Sequence, residues 1–586
     1  MYSNDKRIVH LLSLMKQWGI RRVVVAPGSR HFPLVHSFEV DSDFRMYSVV
    51  DERSAAFFAL GLIQKTGEPV AVTCTSGTAV INFGSAVIEA YYQGLPLVVI
   101  TADRLPELLG QKEEQVFRQH DVFAGFTRYE GQLNPIQSPL GEWHCNRVIN
   151  EAFLELDHHG RGPVHINIPI EAHNLDTFRT PSLPRVRKIT RIEADCEPEE
   201  WETLARWLAG RRVMILWGQS NPMDEALRAA LDSFLTRFDG VILADHLANC
   251  WHESAIQMSF MALKAMTRTE EKALAPDVVI SLFGNQGFND DIKRYLRGLG
   301  DTIECWDVGR SEVCDPFRRL TRIFEMRPAF FFGKLAAAAT SRGGVGYRDQ
   351  WLALEATVVL PKVPFGEVYA IGALMQALPV PAALHIANSL PIRISQLFAL
   401  RPDIEAFCNR GVNGIDGCMS TAVGYAAEDD RLVFLVIGDL AFFYDMNALW
   451  NRHLSPRLRI LVLNNEGGGL MLMAGWPEAF QAGLDRHMVA AHTATAQAWA
   501  ESRGFRYLAA RDRESCDAAV RTLVDPTAEG PILVEVFSDK RTDRVQYRAA
   551  LQQTMKRAGK SNKVDRIERK LRQLVQRTPL MGLFRR

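Results

Sequence analysis

The chain has 586 residues, and its 68 lysines and arginines balance 68 aspartates and glutamates. A hydrophobic fraction of 47% with 23% charged residues excludes a disordered chain, and the even charge excludes a surface built wholly for nucleic acid. A chain of this length divides into two to four domains, each able to bury a core.

In chain order, Met1-Tyr2-Ser3-Asn4-Asp5-Lys6-Arg7 opens a mixed-charge amphipathic segment rather than a signal peptide. No apolar run approaches the roughly 18 residues that a membrane span needs. The nine cysteines are odd in number, scattered, and never paired at metal-ligand spacing, which fits a reducing, cytoplasmic compartment. Three stretches then repeat one rhythm: a short β-branched run, a glycine-rich or polar turn, and a helical pattern. That rhythm predicts an α/β fold of three doubly wound domains, each on a parallel sheet. The first, residues 1–185, carries strands at Arg22–Val25, Val70–Cys74 and Leu97–Thr101. The second, 190–345, has Val213–Trp217, Val241–Leu243 and Val278–Leu282. In the third, 350–545, Leu432–Ile437 and Leu458–Leu463 are largely apolar, as strands buried on both faces are. The joints are Thr180–Pro184 and Ser341–Gly344. A basic helical tail, 546–586, closes the chain. From Lys556 onward basic residues dominate, and Val564, Ile567, Leu571, Leu574 and Val575 share one helical face. Two readings stand: a helix packed on its own protein, or a contact for a partner or an anionic membrane, encouraged by Leu580-Met581-Gly582-Leu583-Phe584-Arg585-Arg586.

Gly438-Asp439-Leu440 directly follows one buried strand, and Asn464-Asn465-Glu466-Gly467 ends the next. An Asp carboxylate, an Asn carbonyl and a main-chain carbonyl at neighbouring strand tips can hold a magnesium ion against a diphosphate, because magnesium takes oxygen ligands in near-octahedral array. Gly438 lets the backbone approach a phosphate, and a helix starting near Leu440 presents free amides to it. Alone, Gly-Asp after a strand is a turn and helix cap. Paired with Asn-Asn about 26 positions on, it resembles the thiamine-diphosphate motif, which usually reads Gly-Asp-Gly. In Asp51-Glu52-Arg53 a strand ends and an alanine-rich helix begins. Glu52 reads either as a first-turn acid complementing the helix dipole or as the carboxylic acid that thiamine chemistry needs beside its aminopyrimidine. The next turn, Thr75-Ser76-Gly77-Thr78-Ala79, resembles the pyrimidine-side loop of thiamine-diphosphate enzymes and favours the second.

Further motifs are Ala26-Pro27-Gly28-Ser29-Arg30, Thr101-Ala102-Asp103-Arg104, Asn388-Ser389-Leu390-Pro391-Ile392-Arg393, Asn409-Arg410-Gly411, Gly414-Ile415-Asp416-Gly417 and Tyr444-Asp445-Met446-Asn447. Together they resemble the 2-succinyl-5-enolpyruvyl-6-hydroxy-3-cyclohexene-1-carboxylate synthases of menaquinone biosynthesis, over nearly the whole chain apart from the basic tail. Leu440 in place of glycine is itself what that family carries. The resemblance implies an enzyme that uses thiamine diphosphate and Mg2+ to decarboxylate 2-oxoglutarate and add the succinyl unit to isochorismate. It makes Glu52 the catalytic acid. It gives the cofactor to Ser76, Gly77, Thr78, Ser389, Ile415, Gly438, Asp439 and Leu440, with Ile415 holding it bent. Asp439, Asn465 and the Gly467 carbonyl take the metal. Ser389, Arg393 and Arg410 receive the distal carboxylate of the 2-oxo acid, a role that suits guanidinium, which binds carboxylate bidentately. Ser29, Arg30, Arg104 and Gln115 bind isochorismate. The resemblance also implies a homodimer or homotetramer, its cofactor held between the first domain of one subunit and the third of its neighbour. The partners are then small molecules and further copies of the chain, with no nucleic acid.

Three departures stand out. Glu114 occupies a position where that family usually has Asn or another uncharged residue, and His31 and Phe32 stand where it has smaller ones. Where it carries basic residues after a strand of the middle domain, either Asp290 and Asp291 or, with a loop insertion, Lys293 and Arg294 take the places. The first alignment favours a diverged carboligase with a different acceptor or 2-oxo acid.

Overall fold

A computed structural model describes residues 1–158, 160–170, 178–191, 195, 197–285, 290–309, 314–340, 343–344, 346–474 and 481–555. Its strands form three six-stranded sheets in which every neighbouring pair runs parallel. The first holds β1 (Arg22–Val25), β2 (Arg45–Ser48), β3 (Val70–Cys74), β4 (Leu97–Asp103), β5 (Tyr129–Gln132) and β6 (Val164–Pro169). The middle sheet holds β7 (Arg212–Trp217), β8 (Asp239–Leu243), β9 (Ala255–Ile256), β10 (Val278–Leu282), β11 (Glu304–Val308) and β12 (Leu320–Phe324). The third holds β13 (Ala382–Ile386), β14 (Ile404–Phe407), β15 (Leu432–Gly438), β16 (Leu458–Asn464), β17 (Arg506–Ala510) and β18 (Ile532–Phe537). The apolar runs expected as strands are strands here, lengthened by one or two residues where they differ.

The first and third sheets share one order, β2-β1-β3-β4-β6-β5 and β14-β13-β15-β16-β18-β17. Order therefore reverses between β1 and β3, and again between β13 and β15. At such a switch point the connections leave in opposite directions and open a crevice beyond the carboxyl ends of the strands. The residues that follow these four strands include Arg30, Ser76, Ser389 and Asp439, so the fold alone gathers the candidate site residues at two crevices.

Helix Glu52–Thr66 starts at Asp51, whose carboxylate accepts the Ser54 amide at 3.0 Å, and ends at Gly67 with a φ of 70°. It packs against helix Cys418–Ala426 of the third unit, and both are buried almost throughout. Their backbones touch. A β-carbon on Gly61 would sit 2.1 Å from the Thr421 carbonyl oxygen, and one on Gly424 2.2 Å from that of Phe58. Gly61→Val is expected to destabilise the protein by more than the about 1–3 kcal/mol usual for overpacking, because main chain cannot turn aside as a side chain can. Thermal unfolding checks this, and an unchanged transition would refute it.

Helix Lys540–Met555 runs across the division set at residue 545, since Tyr547 and Ala550 pack into the core of the third sheet. The amphipathic face from Val564 to Val575 lies outside the described residues. Among those described, no helix is long and apolar enough to cross a membrane.

Candidate active site

Loops at the tips of β1, β3 and β4 are tied to one another. Arg30 donates from Nε to Ser76 Oγ at 2.9 Å and from Nη1 to the Ile170 carbonyl at 3.2 Å. Burial, and after it the charge of Arg104, lowers the Arg30 pKa, so two guanidiniums converge here. Arg104 Nε donates to the Glu114 carbonyl at 3.1 Å. Gln115, at a φ of 51°, lies against Gly77, where an added β-carbon would be 3.3 Å from Gln115 Cα. Buried Gln119 accepts the Gly77 amide and donates to the Ala102 carbonyl, both at 2.9 Å. Arg30, Ser76, Gly77, Arg104 and Gln115 thus form one cluster, with Ser29 exposed beside it. His31 is fully buried, and burial pushes its imidazole down to about 4, so it adds no charge near neutral pH. Phe32 packs edge-on against Phe178.

Glu52 begins its helix just beyond β2, and Asn82, which ends helix Thr78–Asn82, donates to its Oε2 at 3.3 Å. Its two neighbours reach the third unit. Asn447 Nδ2 donates to Asp51 Oδ2 at 2.9 Å, Arg53 Nη2 donates to the Tyr444 carbonyl at 2.8 Å, and the Arg53 guanidinium lies over the Tyr444 ring at 4.7 Å. Two motifs far apart in sequence therefore dock on one another. Between them Asp445 accepts the amide and hydroxyl of Ser420, both at 2.7 Å, and burial pushes its carboxyl up to about 7.

At the tips of β15 and β16, Asp439 is 3% exposed and accepts the Leu440 amide at 2.7 Å and the Gly467 amide at 2.9 Å. The Leu440 amide, expected to be free for a phosphate, is taken by this carboxylate. Gly467 has a φ of 142°, and a β-carbon on it would meet the Val489 carbonyl oxygen at 2.8 Å, so only glycine fits. Asn465 Nδ2 donates to Glu367 Oε1 at 2.8 Å, while Asn465 Oδ1 is buried with no hydrogen-bond partner. Burial first, then the carboxylates of Asp543 and Asp439, push Glu367 well above the usual range, and burial raises Asp439 as well. Among the described residues no lysine or arginine pairs with Glu367, Asp439 or Asp543; His492 Nε2 lies 3.3 Å from Asp439 Oδ2. A buried, unpartnered amide oxygen with the Asp439 carboxylate at the neighbouring strand tip offers oxygen donors of the kind that a hard divalent cation takes, and magnesium fits them.

Beyond β13 and β14 lies a pocket of positive charge. Ser389 has a φ of 77°, which non-glycine residues seldom adopt, and its carbonyl accepts Arg393 Nη1. Arg410 is 7% exposed; its Nη1 donates to Asn388 Oδ1 at 3.0 Å and its Nε is buried without a partner. Burial, then Arg410, lowers the Arg393 pKa, with Tyr547 and Asp290 opposing. The Arg410 loop is braced from three units. Glu89 accepts the Gly411 and Val412 amides at 2.8 Å each, Asn285 donates to the Arg410 carbonyl at 3.0 Å, and Asn388 donates to the carbonyls of Asn409 and Gly414 at 2.6 and 2.7 Å. Ile415 packs on the core shared by the first and third sheets. Asp291 is ion-paired with Lys264 and Arg294 at 3.0 Å each. Within the chain, and among the described residues, Glu52 makes no hydrogen bond to Asp439, Asn465 or Gly467.

Gln119, Glu89, Asn285 and Glu367 escape a reading of the sequence. Of these Glu89 alone leaves a trace, as an acid on the buried face of helix Gly84–Gln93.

Models of the N-terminal and C-terminal TPP-binding domains of thiamine pyrophosphate enzymes match residues 9–122 and 392–536, the segments that carry most of the two clusters. The chain is similar in fold to benzoylformate decarboxylase from Polynucleobacter necessarius, with a TM-score of 0.64 at 15% identity over 92% of this chain and 99% of that one. Matched at both crevices, it is a thiamine pyrophosphate enzyme. It is 40% identical over 549 residues, 93% of its length, to the 2-succinyl-5-enolpyruvyl-6-hydroxy-3-cyclohexene-1-carboxylate synthase of Phocaeicola vulgatus, covering 97% of that protein. The corresponding synthase of Bacteroides thetaiotaomicron is 42% identical over 93% of this chain and 98% of its own length, and that of Flavobacterium johnsoniae 32% over 90% and 95%. The chain belongs to the 2-succinyl-5-enolpyruvyl-6-hydroxy-3-cyclohexene-1-carboxylate synthase family.

Proposed function

We propose that this enzyme decarboxylates 2-oxoglutarate on thiamine diphosphate and transfers the succinyl unit to the conjugated double bond of isochorismate, in menaquinone biosynthesis. The observation that carries the donor is the buried, unpartnered Nε of Arg410 beside Arg393. Two guanidiniums held close together attract an anion, and a dicarboxylic 2-oxo acid retains one carboxylate after losing the other as carbon dioxide. When bound, thiamine diphosphate supplies the nucleophilic carbon and the electron sink for that loss. Glu52 shares a proton between its carboxyl and the aminopyrimidine ring. Ser76, Gly77 and Thr78 line the pyrimidine side, Ile415 props the cofactor, and Gly438 and Leu440 flank the diphosphate. Asp439, Asn465 Oδ1 and the Gly467 carbonyl hold Mg2+. Ser389, Arg393 and Arg410 grip the retained carboxylate. Arg30 and Arg104, with Ser29 and Gln115, receive the acceptor, whose two carboxylates suit a pair of converging guanidiniums.

In this reading the working form is a cytoplasmic homodimer, or a homotetramer built from it, with the metal cage facing Glu52 supplied by a neighbour. Exposed apolar side chains around Glu52 support this: Val50, Ile81, Tyr444 and Trp450 are 48%, 50%, 54% and 47% exposed. A second reading, a diverged carboligase with a different acceptor or 2-oxo acid, is favoured by Asp290, a carboxylate rather than a cation acting on Arg393. Protein supplied with thiamine diphosphate, Mg2+ and 2-oxoglutarate is expected to release carbon dioxide, and with isochorismate to give an adduct detectable by mass. Carbon dioxide without that adduct selects the second reading. No carbon dioxide and no calorimetric binding of thiamine diphosphate overturns both.

A further inference from the structure

The Asn465 side chain is held from behind. Its amide is planar, so whatever grips Nδ2 also sets the direction of Oδ1. Nδ2 donates to Glu367 Oε1 at 2.8 Å, with Asn465 4% and Glu367 3% exposed. Oδ1, on the other side of the amide plane's carbon, is the atom left buried and unpartnered. Glu367 Oε1 accepts the amide hydrogen whether or not the other carboxyl oxygen carries a proton, and so turns the Asn465 amide oxygen away from itself.

Glu367 is fixed in its turn. Its amide donates to Asp543 Oδ1 at 3.0 Å, and Asp543 Oδ2 accepts the Ser538 hydroxyl at 2.6 Å. The residue before it, Gly366, has a φ of 155°, and a β-carbon there would fall 2.4 Å from Asp543 Oδ1. The start of helix Glu367–Ala377 is thereby pressed against the last helix of the described chain, Lys540–Met555.

We infer that Glu367 is a positioning residue of the metal centre: it holds the Asn465 amide by its nitrogen so that Oδ1 faces the cation, without contacting the cation itself. This rests on the magnesium assignment proposed above. Residues behind metal ligands commonly matter 10–100-fold in affinity, and the Glu367–Asn465 bond is of that kind.

Magnesium titrated calorimetrically into full-length protein saturated with thiamine diphosphate tests it. Glu367→Met fills the space without an acceptor and is expected to weaken Mg2+ binding about 10–100-fold, with the metal-free unfolding transition in place. Glu367→Gln keeps an amide oxygen to accept Nδ2 and is expected to bind Mg2+ much as the wild type does. A paired exchange covers the case in which Glu367→Met does not fold. Asn465→Asp sets two acceptors face to face and is expected to bind weakly, and adding Glu367→Gln, which brings a donor, is expected to recover binding. Wild-type affinity in Glu367→Met, equal losses in the Met and Gln variants, or no recovery in the paired variant overturns the inference. A wild-type protein that takes up thiamine diphosphate but no Mg2+ overturns the metal assignment itself.

Discussion

Glu52→Gln is expected to lower turnover by about 10²- to 10⁴-fold while leaving thiamine diphosphate binding nearly intact. Glutamine keeps the size of the side chain and its bond with Asn82, but it cannot hold and return a proton. The loop proposed for the pyrimidine side is built by Arg30 and Gln119, which bond to Ser76 and Gly77, and the proposed metal ligands belong to the third sheet, so neither depends on the Glu52 charge. Steady-state kcat set beside calorimetric cofactor affinity separates the two effects. A variant that turns over at wild-type rate would remove Glu52 from its role.

Arg410→Ala carries the second large effect. Its guanidinium is buried, bonded to Asn388 on one side and unpartnered at Nε on the other, so a carboxylate bound there is desolvated and directly paired. Truncating one member of such a pair costs about 2–5 kcal/mol, on the order of 30- to 4000-fold in kcat/KM for 2-oxoglutarate. Lysine should restore little, because it offers a point charge in place of a planar fork. The discriminating measurement is the ratio of 2-oxoglutarate to 2-oxovalerate, which lacks the second carboxylate. Equal losses for both donors would mean that Arg410 shapes the loop and does not grip the substrate.

Much of this fold could be read from the sequence, because strands buried on both faces are nearly pure apolar runs. β13 and β14 could not. Ala382–Ile386 carries two alanines and a histidine, and Ile404–Phe407 has an acid among four residues; neither has the pure apolar run of β15, with which β13 pairs. The candidate site residues were legible for a related reason: glycines at tight turns and an Asp and Asn at adjacent strand tips are specific by type. Glu367 and Glu89 were not. A glutamate in a helix is ordinary in kind, and each acquires its place only from a partner, 98 residues away for Asn465 and 322 for Gly411. The open choice between Asp290 with Asp291 and Lys293 with Arg294 narrows in the same manner. Asp291 is tied to Lys264, so it serves the middle unit's interior, and Arg294, with its side chain 74% exposed, is its outer partner.

The crossing at Gly61 and Gly424 bears on how the chain is put together. Helices whose main chains already touch leave no room for an intervening side chain, so the first and third units of one chain, and with them their two crevices, stand at a set spacing.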